Sequence, residues 1–142
     1  MVVGFIANGI LPLVQGWENV AKAFKLSISP ETEKAIQREP TQNMEAYEFY
    51  LRGRRHFYQL SDESWKKARE EFSRAIELDP DYALAYAGLA DCFSFIYMYV
   101  DNAVSVRLQA DTNSRLALQL APDLAQVHAS RGLALSLSAR QQ

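Results

Sequence analysis

The sequence of 142 residues has few of the side chains that form covalent cross-links or catalytic sites. Its single cysteine, Cys92, excludes an internal disulfide and makes a cysteine-based metal site implausible. The chain also lacks the GxSxG, GxxxxGK[ST], HExxH and CxxC motifs of hydrolases, nucleotide-binding proteins, zinc proteases and redox proteins. We therefore expect no enzymatic activity, no metal and no cofactor.

The chain has no strong excess of charge of either sign. Fifteen Lys+Arg face seventeen Asp+Glu, and the isoelectric point is near 5.7, so we expect no nucleic-acid partner. Residues 1–17 have no ionisable side chain, but the basic segment of a secretory signal is missing there. The apolar run is also too short for a membrane span. We expect a cytoplasmic protein without a membrane partner.

An internal period is the strongest signal in the sequence. Prolines at positions 40, 80 and 122 follow the segments AIQREP, AIELDP and ALQLAP, at intervals of 40 and 42 residues. A shift of 42 residues superposes Ala68 on Ala110 and Ala75 on Ala117. Repetition on this scale is typical of stacked helical hairpins, each too small to bury its own apolar face.

One unit shows the physical roles within the period. From Trp65 to Leu78, the apolar and small residues recur every three or four positions and include Ala68, Phe72 and Ala75. The alanines allow a neighbouring helix to approach closely, and Phe72 fills the space beside them. Asp79 precedes a proline and is therefore disfavoured in a helix, so the helix is expected to end there.

These residues resemble the tetratricopeptide repeat (TPR) family, in which helical hairpins carry Gly, Ala, an aromatic, Ala and Pro at fixed positions. The matching residues are Phe49, Gly53, His56, Ala68, Phe72, Ala75 and Pro80, then Tyr86, Leu89, Ala90, Phe93, Ala110, Ala117 and Pro122. The pattern departs at Arg52, where Leu is usual, and at Ser114, where a large aromatic is usual. The similarity is narrower to TPR segments attached to bacterial signalling proteins such as adenylate cyclases, kinases and winged-helix regulators.

The predicted fold is all-α: a right-handed array of antiparallel helix pairs, with about two full repeats and flanking helices. Residues 1–43 would form leading helices near 10–26 and 30–38, packed on the array. Residues 44–142 would form the repeats, with hairpins at 44–79 and 82–120 and an incomplete unit at 123–139.

The resemblance implies a function in protein interaction, because the first helix of each TPR hairpin lines a concave face that holds a peptide. By position, that groove would contain Tyr47, Tyr50, Arg54, Phe57, Tyr58, Leu84, Ala87, Asp91, Ser94 and Phe95. Arg54 offers a fork for a carboxylate, and the aromatics offer contact area. Some of these aromatics could instead pack between helices. His56 and His128 stand where the family has aromatics, so we interpret them as packing residues.

An alternative is a structural role, in which the chain is a segment of a truncated signalling protein that couples or oligomerises domains through its apolar ends. Repeat arrays normally end in a polar capping element, whereas the last helix here is apolar. Its expected self-association face contains Val127, Leu133, Leu135 and Leu137. This face predicts a homo-oligomer or a bound partner.

Overall fold

The computed structural model describes residues 41–140, which contain five α-helices and no β-strand. The helices are α1 (Met44–Phe57), α2 (Asp62–Leu78), α3 (Ala83–Tyr99), α4 (Val104–Leu120) and α5 (Ala125–Ala139). The expected all-α class is confirmed for this part, and the helices lie within the predicted bounds of the two hairpins and the final unit. The leading helices predicted near 10–26 and 30–38 lie outside the described residues.

Each helix contacts its neighbours in the chain, and α3 also contacts both α1 and α5. The pairs α1–α2 and α3–α4 have the most extensive contacts, as expected for hairpins. Asn43, just before α1, donates from Nδ2 to the carbonyl of Leu78 at the end of α2, at 3.3 Å. This bond places the start of α1 beside the end of α2, so the two helices run antiparallel.

Side chains that bind free backbone groups set the helix ends. The Asn43 side chain accepts a hydrogen bond from the Ala46 amide at 3.0 Å, which caps α1. At α2, Ser61 Oγ accepts from the Ser64 amide at 3.1 Å while Ser64 Oγ accepts from the Ser61 amide at 2.9 Å. This reciprocal pair is a capping box with Ser in place of the usual Glu or Gln. α2 ends at Leu78, because Asp79 precedes proline and is extended.

The predicted interior positions form the core. The four superposed alanines (Ala68, Ala75, Ala110 and Ala117) are all fully buried. Phe72 of α2 is 1% exposed, and its ring contacts glycines of α1 and α3. A Cβ at Gly53 would lie 2.7 Å from Phe72 Cε1, and a Cβ at Gly88 would lie 2.6 Å from Phe72 Cζ. Only glycine fits at these two positions without movement of the ring, so Phe72 joins three helices.

The last helix is held by apolar contacts and by one ion pair. Val127 of α5 packs with Ala83, Ala87, Ala117 and Ala121 of the preceding hairpin. Arg131 donates from Nη1 to Asp111 Oδ1 of α4 at 2.6 Å and to Ser114 Oγ at 3.1 Å. Both charged side chains are less than a quarter exposed, so the pair is partly shielded from water.

Candidate partner-binding site

The site predicted from the sequence centres on Arg54, near the end of α1. Its guanidinium donates to the hydroxyl of Tyr50 at 3.3 Å and to the hydroxyl of Tyr58 at 3.0 Å. The hydrogen bond with Tyr50 raises the pKa of Arg54, so the group stays protonated. No described carboxylate lies within ion-pair distance of Arg54. The two tyrosines therefore orient a cation whose remaining donors are available to a ligand.

Tyr50 contributes its hydroxyl to this site and its ring to the core. The side chain is 4% exposed, and its ring lies 5.8 Å from that of Phe72 and 5.2 Å from that of Tyr82. The expectation that Tyr50 lines an open groove is therefore corrected. The ring stabilises the fold and lies 5.9 Å from the Arg54 guanidinium, from which the hydroxyl accepts a hydrogen bond.

On α3, Asp91 provides the opposite charge. Its Oδ1 atom is buried and has no hydrogen-bond partner among the described residues. Burial raises the pKa of Asp91 to about 6, and the nearby Ser130 hydroxyl and the Arg54 charge act in the other direction. Arg54 and Asp91 thus influence each other without forming an ion pair. The site contains one oriented cation and one carboxylate that is costly to keep ionised.

Several predicted groove residues are inside the protein. Ala87 and Ser94 are fully buried, so neither presents a side chain to a ligand. Ala87 belongs to the apolar cluster that holds α5. Tyr47 and Leu84 are half-buried and pack against the main core cluster. Both therefore offer only part of their surface.

The predicted aromatics Phe57, Tyr58 and Phe95 meet where α1 and α3 end. The rings of Phe57 and Phe95 lie 5.0 Å apart with their planes at 77°, and those of Phe57 and Tyr58 lie 5.5 Å apart. Trp65 and Tyr99 complete this cluster, with centroids 5.8 Å apart in a stacked arrangement. Neither Trp65 nor Tyr99 was among the residues predicted from the sequence for this site. Their position near the helix ends was visible in the sequence, but their contact across two hairpins was not.

The predicted self-association face of α5 is largely covered. Val127 is fully buried and Leu137 is 1% exposed, because α5 packs on both α3 and α4. The prediction that these two residues lie on an open face is therefore wrong, because both are inside the protein. Leu133 is half-buried, and Leu135 is 49% exposed. Leu135 is thus the main apolar side chain of this set that is open to a partner.

The histidines and the cysteine have different surroundings. His56 is half-buried, in keeping with a packing position. His128 is exposed, and its Nε2 lies 2.6 Å from the Pro122 carbonyl, so its expected packing role is corrected. Burial raises the pKa of the Cys92 thiol, which keeps it protonated and unreactive. No described group of three His, Cys, Asp or Glu residues could hold a metal ion.

A groove of about 670 Å³ lies between α2 and α4, away from Arg54. Arg69 lies over the ring of Phe93, and Arg74 lies over the ring of Phe49. Glutamates of α2 line the same groove, so it presents charges of both signs. No single ligand chemistry follows from this mixture of charges.

None of the five described helices is both long enough and apolar enough to cross a membrane. Comparison with known proteins gives no match, whether to a protein-family model, to a curated protein or to a solved structure.

Proposed function

We propose that this chain is a protein-interaction module of the tetratricopeptide type, which binds a protein or peptide on the face formed by α1, α3 and α5. The pattern of contacts between helices supports this arrangement. Helix α3 lies against both α1 and α5, while α2 and α4 make no comparable contact with each other. Such a pattern is typical of two layers of helices, with the first helix of each hairpin in one layer. The TPR assignment and the link to bacterial signalling proteins remain predictions.

The observation that carries the proposal is the arrangement around Arg54. Two tyrosine hydroxyls fix the guanidinium, and no described acid neutralises it. An arginine held in one orientation loses less entropy on binding, and its planar fork matches a carboxylate. The partner is therefore a segment that places a carboxylate at Arg54 and apolar side chains against Phe57, Tyr58 and Phe95.

The test compares two charge reversals. Arg54→Glu combined with Tyr50→Phe removes the cation and the hydroxyl but keeps the buried ring. Arg74→Glu reverses an exposed charge near the other end of α2 and is the matched control. Binding of fluorescent peptides, with and without carboxylate side chains, is measured by polarisation. Acidic peptides should bind the wild type and the control, and lose binding to the double variant. Equal binding to all three proteins would refute the proposal.

A structural or oligomerising role is the second candidate, and Leu135 is the observation that favours it. This side chain is 49% exposed, and the space next to Gly132 on the same helix is open. A Leu135→Lys variant would lower the sedimentation mass if this face joins copies. An unchanged mass would show that the face around Leu135 does not join copies.

A further inference from the structure

The two edges of the helical array carry opposite charge. The edge with the α1–α2 and α3–α4 turns, here called the basic edge, also includes the end of α5. The edge with the α2–α3 and α4–α5 turns, here called the acidic edge, also includes the start of α1. The Asn43–Leu78 bond places α1 at the acidic edge, and a bond of 2.9 Å from Arg107 to Ser138 joins α4 to α5 at the basic edge.

At the basic edge, cations outnumber acids. The charged residues there are Arg54, Arg55, Lys66, Lys67, Arg107 and Arg140, against Asp62, Glu63 and Asp101. Asp62 and Glu63 pair with the two lysines at 3.0 and 2.9 Å. Arg54, Arg55, Arg107 and Arg140 have no acidic partner within ion-pair distance among the described residues. A net positive charge from three helices is thus left uncompensated.

At the acidic edge the balance is reversed. Its charged residues are Glu45, Glu48, Glu77, Asp79, Asp81 and Asp123, against Arg74 and Arg115. Both arginines are occupied, Arg74 by Glu77 and Arg115 by Asp111. Glu45, Glu48 and Asp81 are exposed and have no basic partner within ion-pair distance in residues 41–140. The acidic edge therefore has a net negative charge, opposite in sign to that of the basic edge.

The basic edge is also unusually apolar. Exposed large apolar and aromatic side chains gather there, namely Tyr58, Leu60, Tyr99, Val100, Val104 and Leu108. A cluster of exposed apolar groups with a charged rim is typical of a protein-binding surface. The acidic edge has a recess of about 660 Å³ whose lining residues are mostly polar, namely Thr41, Gln42, Asn43, Leu78, Asp79 and Asp81.

Leu60 adds an independent observation. It lies in the α1–α2 turn with φ of +54°, a left-handed conformation that favours Gly or Asn over Leu. Its side chain is 62% exposed, so burial within the described part of the chain does not offset the strain. A strained residue that presents an apolar side chain to solvent points to a contact outside this molecule.

We propose that the basic edge of one copy binds the acidic edge of a second copy, in a head-to-tail contact. Both edges belong to the same chain, so a second copy supplies the charge complementary to either edge. Since the two edges differ, the contact is heterologous and leaves one edge free on each outer copy. Association therefore continues beyond a dimer as concentration rises.

The test uses two double variants. Arg55→Glu/Arg140→Glu disables the basic edge, and Glu48→Lys/Asp81→Lys disables the acidic edge. All four residues are outside the core, so both variants should fold. By analytical ultracentrifugation, the wild type should associate at about 0.01 M salt and dissociate at about 1 M, where charges are screened within about 3 Å. Each variant alone should be monomeric, and their equimolar mixture should form a 1:1 dimer, because each supplies the edge that the other lacks.

A monomeric wild type at low salt, or a mixture that stays monomeric, would overturn the proposal. The proposal would also be overturned if the wild type sediments with anionic phosphatidylglycerol vesicles but does not self-associate. As a second measurement, Leu60→Asn should raise the melting temperature and weaken association. If Leu60→Asn associates as strongly as the wild type, the result would count against the basic edge as the contact surface.

Discussion

The ring of Phe72 between two glycines allows a sharp test of the packing. Gly53→Ala places a methyl group 2.7 Å from Phe72 Cε1, whereas ordinary carbon contacts are about 3.5–4.0 Å. The ring cannot avoid the new methyl group by moving freely, because Gly88 of α3 also contacts it. Overpacking of this kind costs about 1–3 kcal/mol, and the better helix propensity of alanine returns up to about 1 kcal/mol. The net expectation is a loss of about 0–3 kcal/mol.

The same substitution at Gly132 is the matched control. No atom lies within 4 Å of a Cβ there, so Gly132→Ala should gain about 0.5–1 kcal/mol from helix propensity alone. The difference between the two variants isolates the contact with Phe72 and should be about 1–3 kcal/mol. Urea unfolding with an unchanged m-value measures both free energies.

A double variant tests whether Phe72 is the cause. Phe72→Leu removes the ring atoms that approach Gly53, so Gly53→Ala should cost less in the Phe72→Leu background than in the wild type. The proposed role of the ring is wrong if Gly53→Ala and Gly132→Ala change the unfolding free energy equally. It is also wrong if the effects of Gly53→Ala and Phe72→Leu on the unfolding free energy are additive.

Three further predictions concern charge and capping. The folded pKa of Asp91, about 6, exceeds its ordinary value of 3.8, so wild-type stability should fall by about 3 kcal/mol at most as pH rises from about 4 to above 6. Asp91→Asn should flatten this profile, and an unchanged profile would refute the assignment. Arg131 lowers the pKa of Asp111, so Asp111→Asn should cost about 1–2 kcal/mol at neutral pH and less in acid, where the Asp111 carboxylate becomes protonated; urea unfolding at neutral and acidic pH measures both values. Ser61→Ala should lower the unfolding free energy by about 1 kcal/mol through loss of the α2 cap, and equal stability would contradict the capping role.

The helices were predictable because their signals are local. Proline at 80 and 122 and the recurring alanines mark helix ends and interior positions within a few residues of where they act. The burial of each predicted site residue could not be predicted from such local signals. Tyr50 is buried by Phe72 and Tyr82, which are more than twenty residues away in sequence. Helical spacing assigns a residue to a face but does not show what covers that face.

The final helix shows the same limit. Its apolar residues suggested an uncovered end, but Val127 and Leu137 are buried. One side of α5 packs on the preceding hairpin, and these two residues lie on that side. The pair Asp111–Arg131 was missed because its partners are twenty residues apart on different helices. The charge difference between the edges also requires knowledge of which turns lie together.

The position of Phe72 has a consequence for how the molecule comes apart. The ring of Phe72 contacts glycines in both hairpins. Separation of the hairpins would therefore expose the same ring that packs α2 against α1. Neither pair can open alone without losing contacts that stabilise the other. Mechanical or thermal disruption should therefore remove α1, α2 and α3 in a single step, and stepwise unzipping from the first helix should not be observed.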